Sequence, residues 1–376
     1  MLVKTFCGGA PRTLLRLVGA RMYRRSVADT FIDLFAGAGG LSWGLQESGM
    51  QCLLASDYWS DALETYRHNM PDHPVVETDV RKLSVSKLTK LLPEKPDWIV
   101  GGPPCQGYST VGKRNRSDPR NVLFLEFRRI VKGIRPKGFM IENVLGLKDM
   151  SYEQEVAESF KELGYRVRFM VLTSAEHGVP QLRRRVVFVG HKERGMFQGP
   201  PVTHDDETFV SVADAIYDLP RLGAGEVAED YDQAPVTAYQ KLMRQPGDRL
   251  QGHSVSKHPD HLVKAISFIP DGGNRQSIPP KYQPRAGFHN SYSRLASWRP
   301  AVAITQNLGK PSGTRCIHPN QDRGLTTREG ARLQSFPDRF HFLGGVTSQR
   351  LQVGNAVPPV LAQAVGEALQ DDLRWF

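Results

Sequence analysis

Cysteine is scarce in this chain of 376 residues, which contains four: Cys7, Cys52, Cys105 and Cys316. No two of them have the spacing of a zinc-binding or redox-active pair, so we expect neither a metal site nor a disulfide framework. This usage is typical of the reducing cytoplasm, where we expect the protein to act. Long apolar runs are missing too, and none is long enough to span a membrane.

Acidic residues are absent from the first 28 residues, which contain six Lys and Arg. This composition is typical of a transit peptide, but a disordered basic extension, or a true start at Met22, explains it equally well. We therefore leave the segment out of the fold. Over the whole chain, 49 basic residues exceed 39 acidic ones, giving a net charge of +10. Such a balance favours nucleic acid as a partner over a merely soluble basic protein.

From Thr30 onward, apolar segments with strand character alternate with segments of helical periodicity. Predicted strands are TFIDLF, QCLLASD, VVETDV, DWIVGG, GFMIEN, YRVRFMVL and RVVFVG. The alternation predicts an α/β fold with a doubly wound, mostly parallel sheet that is covered on both faces. In such folds ligands bind at the carboxyl ends of the strands, so we expect the functional residues there.

After Gly190 the character of the sequence changes, and residues 191 to about 300 are rich in Pro, Gly and polar residues. We expect a smaller, loop-rich domain there. Farther along, LTTREGARLQSFP predicts a helix with a capping box of Thr326 and Glu329, ended by Pro337. The final segment VPPVLAQAVGEALQ predicts an amphipathic helix that packs back on the first domain.

A glycine-rich loop, DLFAGAGG, follows the first predicted strand and opens a helix. Glycines allow a ligand to approach the backbone, and a helix N-terminus offers free amide donors. The next two predicted strands end in Asp57 and Asp79, where an acid can accept hydrogen bonds from ribose. Because the spacing G-x-G-x-x-G is missing, we favour an adenosyl ligand over a dinucleotide. A tight strand-to-helix turn is the alternative explanation.

Cys105 follows the fourth predicted strand, on a loop stiffened by two prolines. A cysteine at such a place is a candidate nucleophile, although only a few per cent is thiolate at neutral pH without activation. Glu142 ends the fifth predicted strand after an apolar run, where burial would favour its protonated form. A buried packing cysteine and a helix-capping glutamate are the alternatives. Both residues lie at carboxyl ends of strands, which favours catalysis.

In PQLRRRVVFVG, alternation along a strand predicts Gln181, Arg183 and Arg185 on one face and Arg184 on the other. Two segments are rich in basic residues: one follows Cys105, and the other lies in the second predicted domain. Residues 113–137 have nine Lys and Arg and two acids, and residues 241–300 have ten and three, interspersed with aromatics. Such segments favour contacts with phosphates and bases, although a solvated charged face is the alternative for each.

Six motifs in this order resemble the cytosine-5 DNA methyltransferase family: DLFAGAGG, GGPPCQGYS, ENV, QLRRR, LTTREGARLQSFP and QVGNAVPP. The resemblance covers nearly all of residues 30–190 and 290–365. It implies the S-adenosylmethionine-dependent methyltransferase fold and the transfer of a methyl group from S-adenosylmethionine to carbon 5 of a cytosine flipped out of duplex DNA.

The resemblance also implies roles for single residues. Cys105 would attack carbon 6 of the cytosine, Glu142 would hold or protonate ring nitrogen 3, and Arg185 would bind the carbonyl at position 2, supported by Arg183. The positions that would contact DNA are Gln106, Ser109 and Arg120. The positions that would bind S-adenosylmethionine are Phe35, Ala36, Gly37, Gly40, Leu41, Asp57, Tyr58, Asp79, Val80, Asn355 and Val357.

The family pattern divides the chain into a basic extension (1–28), a catalytic and cofactor-binding domain (29–200), a target-recognition domain (201–324) and a returning C-terminal part (325–376). The short recognition region implies one short DNA target. The chain resembles a bacterial modification enzyme, acting at the nucleoid in the cytoplasm as a monomer, and either paired with a restriction endonuclease or solitary.

Three other functions compete with this one. A tRNA cytosine-5 methyltransferase of the same fold would have a Cys-Phe-Thr stretch before the late helix, where this sequence has SYSRLASWRPAVAITQN. An inactive DNA-binding regulator would lack Cys105, Glu142 or the cofactor acids, and all are present. A dinucleotide oxidoreductase is disfavoured by the missing glycine fingerprint.

Overall fold

The computed structural model describes residues 28–104, 122–144, 151–284, 291–312 and 316–376. Within these residues a seven-stranded sheet has the order β3-β2-β1-β4-β5-β8-β6, and β7 pairs with β9 in a separate small sheet. The strands are β1 (Thr30–Leu34), β2 (Gln51–Asp57), β3 (Val75–Glu77), β4 (Trp98–Gly101), β5 (Gly138–Val144), β6 (Arg166–Thr173), β7 (Gln181–Leu182), β8 (Arg184–His191) and β9 (Ala301–Val302).

Strands β1 to β5 are mutually parallel, and β8 runs antiparallel between β5 and β6. The predicted mostly parallel, doubly wound sheet is confirmed. From β1 the chain builds outward through β2 to β3 and then crosses to β4 on the other side of β1. This reversal is a topological switch point, and it opens a crevice at the carboxyl ends of β1 and β4.

Helices cover both faces of the sheet. The helices of the described residues are α1 (Gly40–Glu47), α2 (Ser60–Asn69), α3 (Val85–Leu91), α4 (Val122–Ile134), α5 (Ser151–Lys161), α6 (Val212–Ile216), α7 (Ala238–Met243), α8 (Asp260–Ile266), α9 (Thr327–Leu333), α10 (Val346–Asn355) and α11 (Pro359–Gln370). One face packs on α1, α2, α9 and α11, and the other on α4 and α5, so each face has its own apolar core. The last helix, α11, lies against α1, where Gly44 allows the carbonyl of Pro359 to approach closely.

The structure corrects several predicted boundaries. β3 ends at Glu77, and Asp79 lies beyond it, because its carboxylate caps a following 3-10 turn by accepting from the amide of Arg81. β5 continues past Glu142 to Val144, because pairing with β8 extends it. Helix α9 ends at Leu333 rather than at Pro337, since the chain turns at Ser335, whose φ is 62°.

The prediction of a single strand over the segment QLRRR is wrong, because the segment contributes to two strands. Gln181 belongs to β7, which pairs with β9, whereas Arg184 opens β8 of the main sheet. The chain changes sheets at Arg183, although burial still alternates: Gln181 and Arg183 are buried and Arg184 is exposed. The segment therefore links the central sheet to the late part of the chain.

The described part of residues 201–324 contains the three short helices α6 to α8, two 3-10 turns, the two-residue strand β9, and otherwise turns and isolated bridges. A small apolar cluster of five buried residues around Ile266 and Ile317 lies within this region. The region is joined to α9 by a buried ion pair, since Arg332 contacts Asp218. Across the described residues, no helix has both the length and the apolar character needed to cross a membrane.

Candidate active site

The glycine loop between β1 and α1 takes backbone conformations that fit its sequence. Gly37 and Gly39 have φ of 54° and 99°, in the left-handed region that favours glycine, and Phe35 has a positive φ of 68°. A Cβ atom on Gly40 would lie 2.3 Å from the carbonyl oxygen of Val357. The absence of a side chain at Gly40 therefore allows the segment after α10 to pack against the loop.

Asp57, at the carboxyl end of β2, organises the same edge of the sheet. Its carboxylate accepts hydrogen bonds from the amides of Gly37 (2.8 Å), Tyr58 (2.7 Å) and Trp59 (2.9 Å). Burial raises the pKa of this carboxyl, and the three amide donors oppose the rise. The ring of Tyr58 is 71% exposed at the mouth of the crevice, which leaves its face free to stack.

Asp79 and Val80 lie outside the lining of this crevice. The Arg81 side chain pairs with the Asp79 carboxylate, and these hydrogen bonds hold the pKa of that carboxyl below its usual range. Val80 is buried in the core beneath α4. Their predicted contact with adenine remains a prediction.

Glu142 and Arg185 form an ion pair at the carboxyl end of β5. The Nε atom of Arg185 lies 2.9 Å from Oε1 of Glu142, and both side chains are mostly buried. Within the described part of the chain, that Oε1 atom has no hydrogen-bond partner, so the contact is one of charge rather than an aligned hydrogen bond. The carboxyl group therefore keeps capacity to bind a ligand that enters the crevice.

Arg183, in contrast, is buried among backbone carbonyls. Its guanidinium donates to the carbonyls of Ile304 (3.2 Å), Gly354 (3.3 Å) and Ala356 (3.1 Å). Burial lowers the pKa of Arg183 to about 9, and the charge of Arg185 adds to the effect. These contacts make Arg183 a link to the segment that carries Asn355.

Asn143 was not singled out from the sequence beyond its place in the motif ENV. It is buried, and its Nδ2 donates to the carbonyl of Pro103 at 2.9 Å. This hydrogen bond fixes the two-proline loop that leads to Cys105. Nothing in the local sequence pattern reveals it, since the two residues lie 40 positions apart. Four predicted residues, Cys105, Gln106, Ser109 and Arg120, lie outside the described residues.

These elements enclose a cleft of about 450 Å³ at the switch point. The predicted residues that line it are Phe35, Ala36, Gly37, Gly40, Leu41, Asp57, Tyr58, Glu142, Arg183, Arg185, Asn355 and Val357. Its volume lies in the range of small-molecule sites, and its polar side chains converge from the parallel strands β2 and β5 and from the start of the antiparallel strand β8. The cleft thus combines a nucleoside-sized space with an acid and a guanidinium.

A larger cavity of about 660 Å³ lies elsewhere, between residues 227–230, 249–254 and the start of α9. Most of its lining residues belong to residues 201–324, and none lies at the carboxyl end of a strand of the main sheet. Since the crevice at the switch point is where α/β sheets bind ligands, we assign the chemistry to the smaller cleft. Among the residues that the structure describes, no group of three or more His, Cys, Asp or Glu is placed to hold a metal ion.

A family model for C-5 cytosine-specific DNA methylase matches residues 30–371 of the chain. The chain belongs to this family. The methylase is 41% identical to the type II methyltransferase M1.HphI of Haemophilus parahaemolyticus, over 90% of this chain and 86% of that protein. It is 38% identical to the type II methyltransferase M.DdeI of Desulfomicrobium norvegicum, over 92% of this chain and 88% of that protein.

Solved structures show the same fold for the methylase. A protein described as a DNA modification methyltransferase encoded within an E. coli prophage superposes with a TM-score of 0.73 at 24% identity, over 92% of this chain and 99% of that one. Together with the family match, these relatives identify the chain as an S-adenosylmethionine-dependent DNA (cytosine-5-)-methyltransferase. They do not favour the tRNA alternative.

The cleft of the methylase fits S-adenosylmethionine. Gly37, whose Cβ position has no atom within 4 Å, leaves open space beside the carboxylate of Asp57. The exposed ring of Tyr58 offers a stacking face for a purine. The residues present therefore suit an adenosine moiety at the β1 and β2 ends and leave the Glu142 side of the cleft for a second ligand.

Proposed function

We propose that Cys105 is the nucleophile and that the Glu142–Arg185 pair binds the cytosine ring. The observation that carries this proposal is the cleft itself, which places Glu142 and Arg185 beside the two-proline loop that Cys105 follows. The thiolate of Cys105 adds to carbon 6, and Glu142 donates a hydrogen bond or proton to ring nitrogen 3. Carbon 5 thereby gains the nucleophilicity of an enamine.

Arg185 binds the carbonyl oxygen at position 2 of the ring and balances the carboxylate when Glu142 is ionised. Arg183 supports it from behind, held among three carbonyls. S-adenosylmethionine, when bound, would supply an electrophilic methyl group on a sulfonium, and the bond from methyl to sulfur would break to leave S-adenosylhomocysteine. After carbon 5 has accepted the methyl group, a base removes the proton from carbon 5. The bond between carbon 6 and Sγ then breaks, which restores the thiolate and the aromatic ring.

The cofactor is held by the glycine loop, Asp57, Tyr58 and the 355–357 segment. Asp57 would accept from the ribose hydroxyls and Tyr58 would stack near adenine. Asp79 and Val80, which lie outside the lining of the cleft, would meet the adenine edge. The target cytosine reaches the cleft only when it is flipped out of the duplex, because its ring must be attacked on its face. Gln106, Ser109 and Arg120 contact the DNA around it.

The methyltransferase recognises one short sequence in double-stranded DNA through residues 201–324, between a catalytic domain of residues 29–200 and the returning part of residues 325–376. The loop-rich character of that region supports this division. Type II methyltransferases among its relatives support a bacterial modification role that is paired with a restriction endonuclease. We propose that the protein acts at the nucleoid as a monomer.

Covalent trapping tests this proposal without knowledge of the target. In DNA synthesised with 5-fluorodeoxycytidine throughout, fluorine at carbon 5 cannot leave as a proton does, so the cysteine adduct persists. We expect the protein to form a denaturation-resistant complex with such DNA in the presence of S-adenosylmethionine. The Cys105→Ser variant should bind this DNA without forming the adduct, whereas the buried-cysteine control Cys316→Ser should form it. An adduct in Cys105→Ser would overturn the assignment.

A further inference from the structure

Side chains from distant parts of the chain hold the wall of the cleft that residues 353–357 form. The carbonyl of Val353 accepts from Nε2 of Gln334 at 2.7 Å, and the carbonyls of Gly354 and Ala356 accept from Arg183. Helix α10 ends at Asn355, where the last carbonyls run out of regular intrahelical donors, and the amide of Ala356 reaches the Val353 carbonyl only at 3.4 Å. The side chains of Gln334 and Arg183 also donate to these carbonyls and fix the path of the wall.

Ser335, the residue after Gln334, holds the segment that follows the wall. Oγ of Ser335 accepts from the amide of Val360 at 3.1 Å, in the first turn of α11, where amides have no intrahelical acceptor. Ser335 has a φ of 62°, which allows the chain to leave α9 and present both side chains to residues 353–360. Gln334 and Ser335 are both buried, and neither lines the cleft.

The amide of Gln334 is itself oriented by a second buried amide. Nε2 of Gln181 donates to Oε1 of Gln334 at 3.0 Å, and Oε1 of Gln181 accepts from the amide of Ile304 at 2.7 Å. With its oxygen engaged by Gln181, the Gln334 nitrogen points at Val353. The network also includes Arg183, so the wall of the cleft and the segment leading to Arg185 are parts of one hydrogen-bonded unit.

We propose that Gln334 and Ser335 are positioning residues that set the affinity for S-adenosylmethionine by holding residues 353–360 against the glycine loop. The inference rests on the proposed assignment of the cleft to the cofactor. Both residues act at a distance, through the Val353 carbonyl and the Val360 amide. Loosening either contact lets the wall recede from Gly40, whose missing side chain brings the two together.

The test is calorimetric titration of the full chain with S-adenosylhomocysteine, alongside steady-state kinetics. Gln334→Met keeps the shape and removes both hydrogen bonds, and we expect its Kd to rise about 10-fold. Ser335→Gly removes the whole CH2OH side chain and with it the hydrogen bond to Val360, and glycine accepts a φ of 62° freely, so this variant keeps the backbone and should also raise Kd. In both, the KM for the cofactor should rise while kcat at saturating cofactor changes less than about threefold.

Gln370→Met is the matched control, since Gln370 also donates to carbonyls, of Ser48 and Gly366, but joins α11 to α1 away from the wall. Its Kd should stay within twofold. Unchanged Kd in Gln334→Met and Ser335→Gly, or an equal rise in Gln370→Met, would overturn the inference. Asp57→Ala separates failure of the cofactor-site assignment from failure of the positioning role. A normal Kd in Asp57→Ala would refute the assignment of the cleft to the cofactor. A lost affinity in Asp57→Ala, with a normal Kd in Gln334→Met, would refute only the positioning role.

Discussion

Replacing Gly40 with alanine should weaken cofactor binding through a steric clash with Val357. A Cβ atom at this position would lie 2.3 Å from the carbonyl oxygen of Val357 and 2.9 Å from Cζ of Phe336. Ordinary contacts of a Cβ begin at 3.4 Å, so the carbonyl must retreat by about 1.1 Å. Gly40 is the first residue of α1 and has no left-handed φ, so the backbone itself accepts alanine.

Overpacking of this kind costs about 1–3 kcal/mol. Because Val357 belongs to the wall of the cleft, the strain is relieved by moving that wall, and it is the bound cofactor that needs the wall in place. If the cost falls on the bound state, the Kd for S-adenosylhomocysteine should rise roughly 5- to 150-fold. Calorimetric titration measures this directly, and thermal unfolding of the same sample shows whether the fold is kept.

Gly345→Ala serves as the control, because Gly345 has a φ of −68° and no atom within 4 Å of its Cβ position. It should bind S-adenosylhomocysteine as the unaltered protein does. A Gly40→Ala protein that is folded and has an unchanged Kd would refute the reasoning, since the wall would then not depend on the approach of Val357 to the glycine loop.

Three further predictions concern charge. DNA affinity should fall steeply with salt, by about 10³-fold or more between 50 and 200 mM if six or more phosphates are contacted, and a flat response in filter binding would exclude the basic segments as the DNA surface. Burial raises the pKa of the Asp33 carboxyl to about 7, above its value in the unfolded chain, so the free energy of unfolding should fall as pH rises from about 4 to 7. Asp33→Asn keeps an acceptor for the Ser42 hydroxyl and should remove this pH dependence in urea titrations. An unchanged dependence of the unfolding free energy on pH in Asp33→Asn would contradict the prediction. Asp338→Asn should cost about 3–5 kcal/mol of unfolding free energy, because it removes the one carboxylate that the buried guanidiniums of Arg328 and Arg332 share. Glu158→Gln at an exposed pair should cost under about 1 kcal/mol, and equal losses would count against this.

The main sheet was predicted well from the sequence, because its strands are short apolar runs. The helices between them have one buried face and so show helical periodicity. The sequence also predicted the glycine loop and Asp57, since their positions at strand ends follow from the alternation alone. It missed α10, whose apolar positions do not recur on one face. The end of β3 before Asp79 also escaped prediction, because a side-chain cap rather than hydrophobicity ends the strand.

The partners of Arg183 show what a single sequence does not reveal. Alternation predicted a face shared with Arg185, but the guanidinium binds carbonyls that are 121 to 173 positions away. The same holds for Gln334, which meets Gln181 across 153 positions. Such contacts depend on how the late part of the chain docks on the sheet, and no local periodicity contains that information.

The most direct test of the central claim is base-resolution sequencing of 5-methylcytosine in a methylation-free bacterial genome after expression of this chain. The account predicts modification of cytosines within one short motif, and no modification when Cys105→Ser is expressed in its place. A genome left unmodified by soluble, folded protein would contradict the assignment of this active site to DNA.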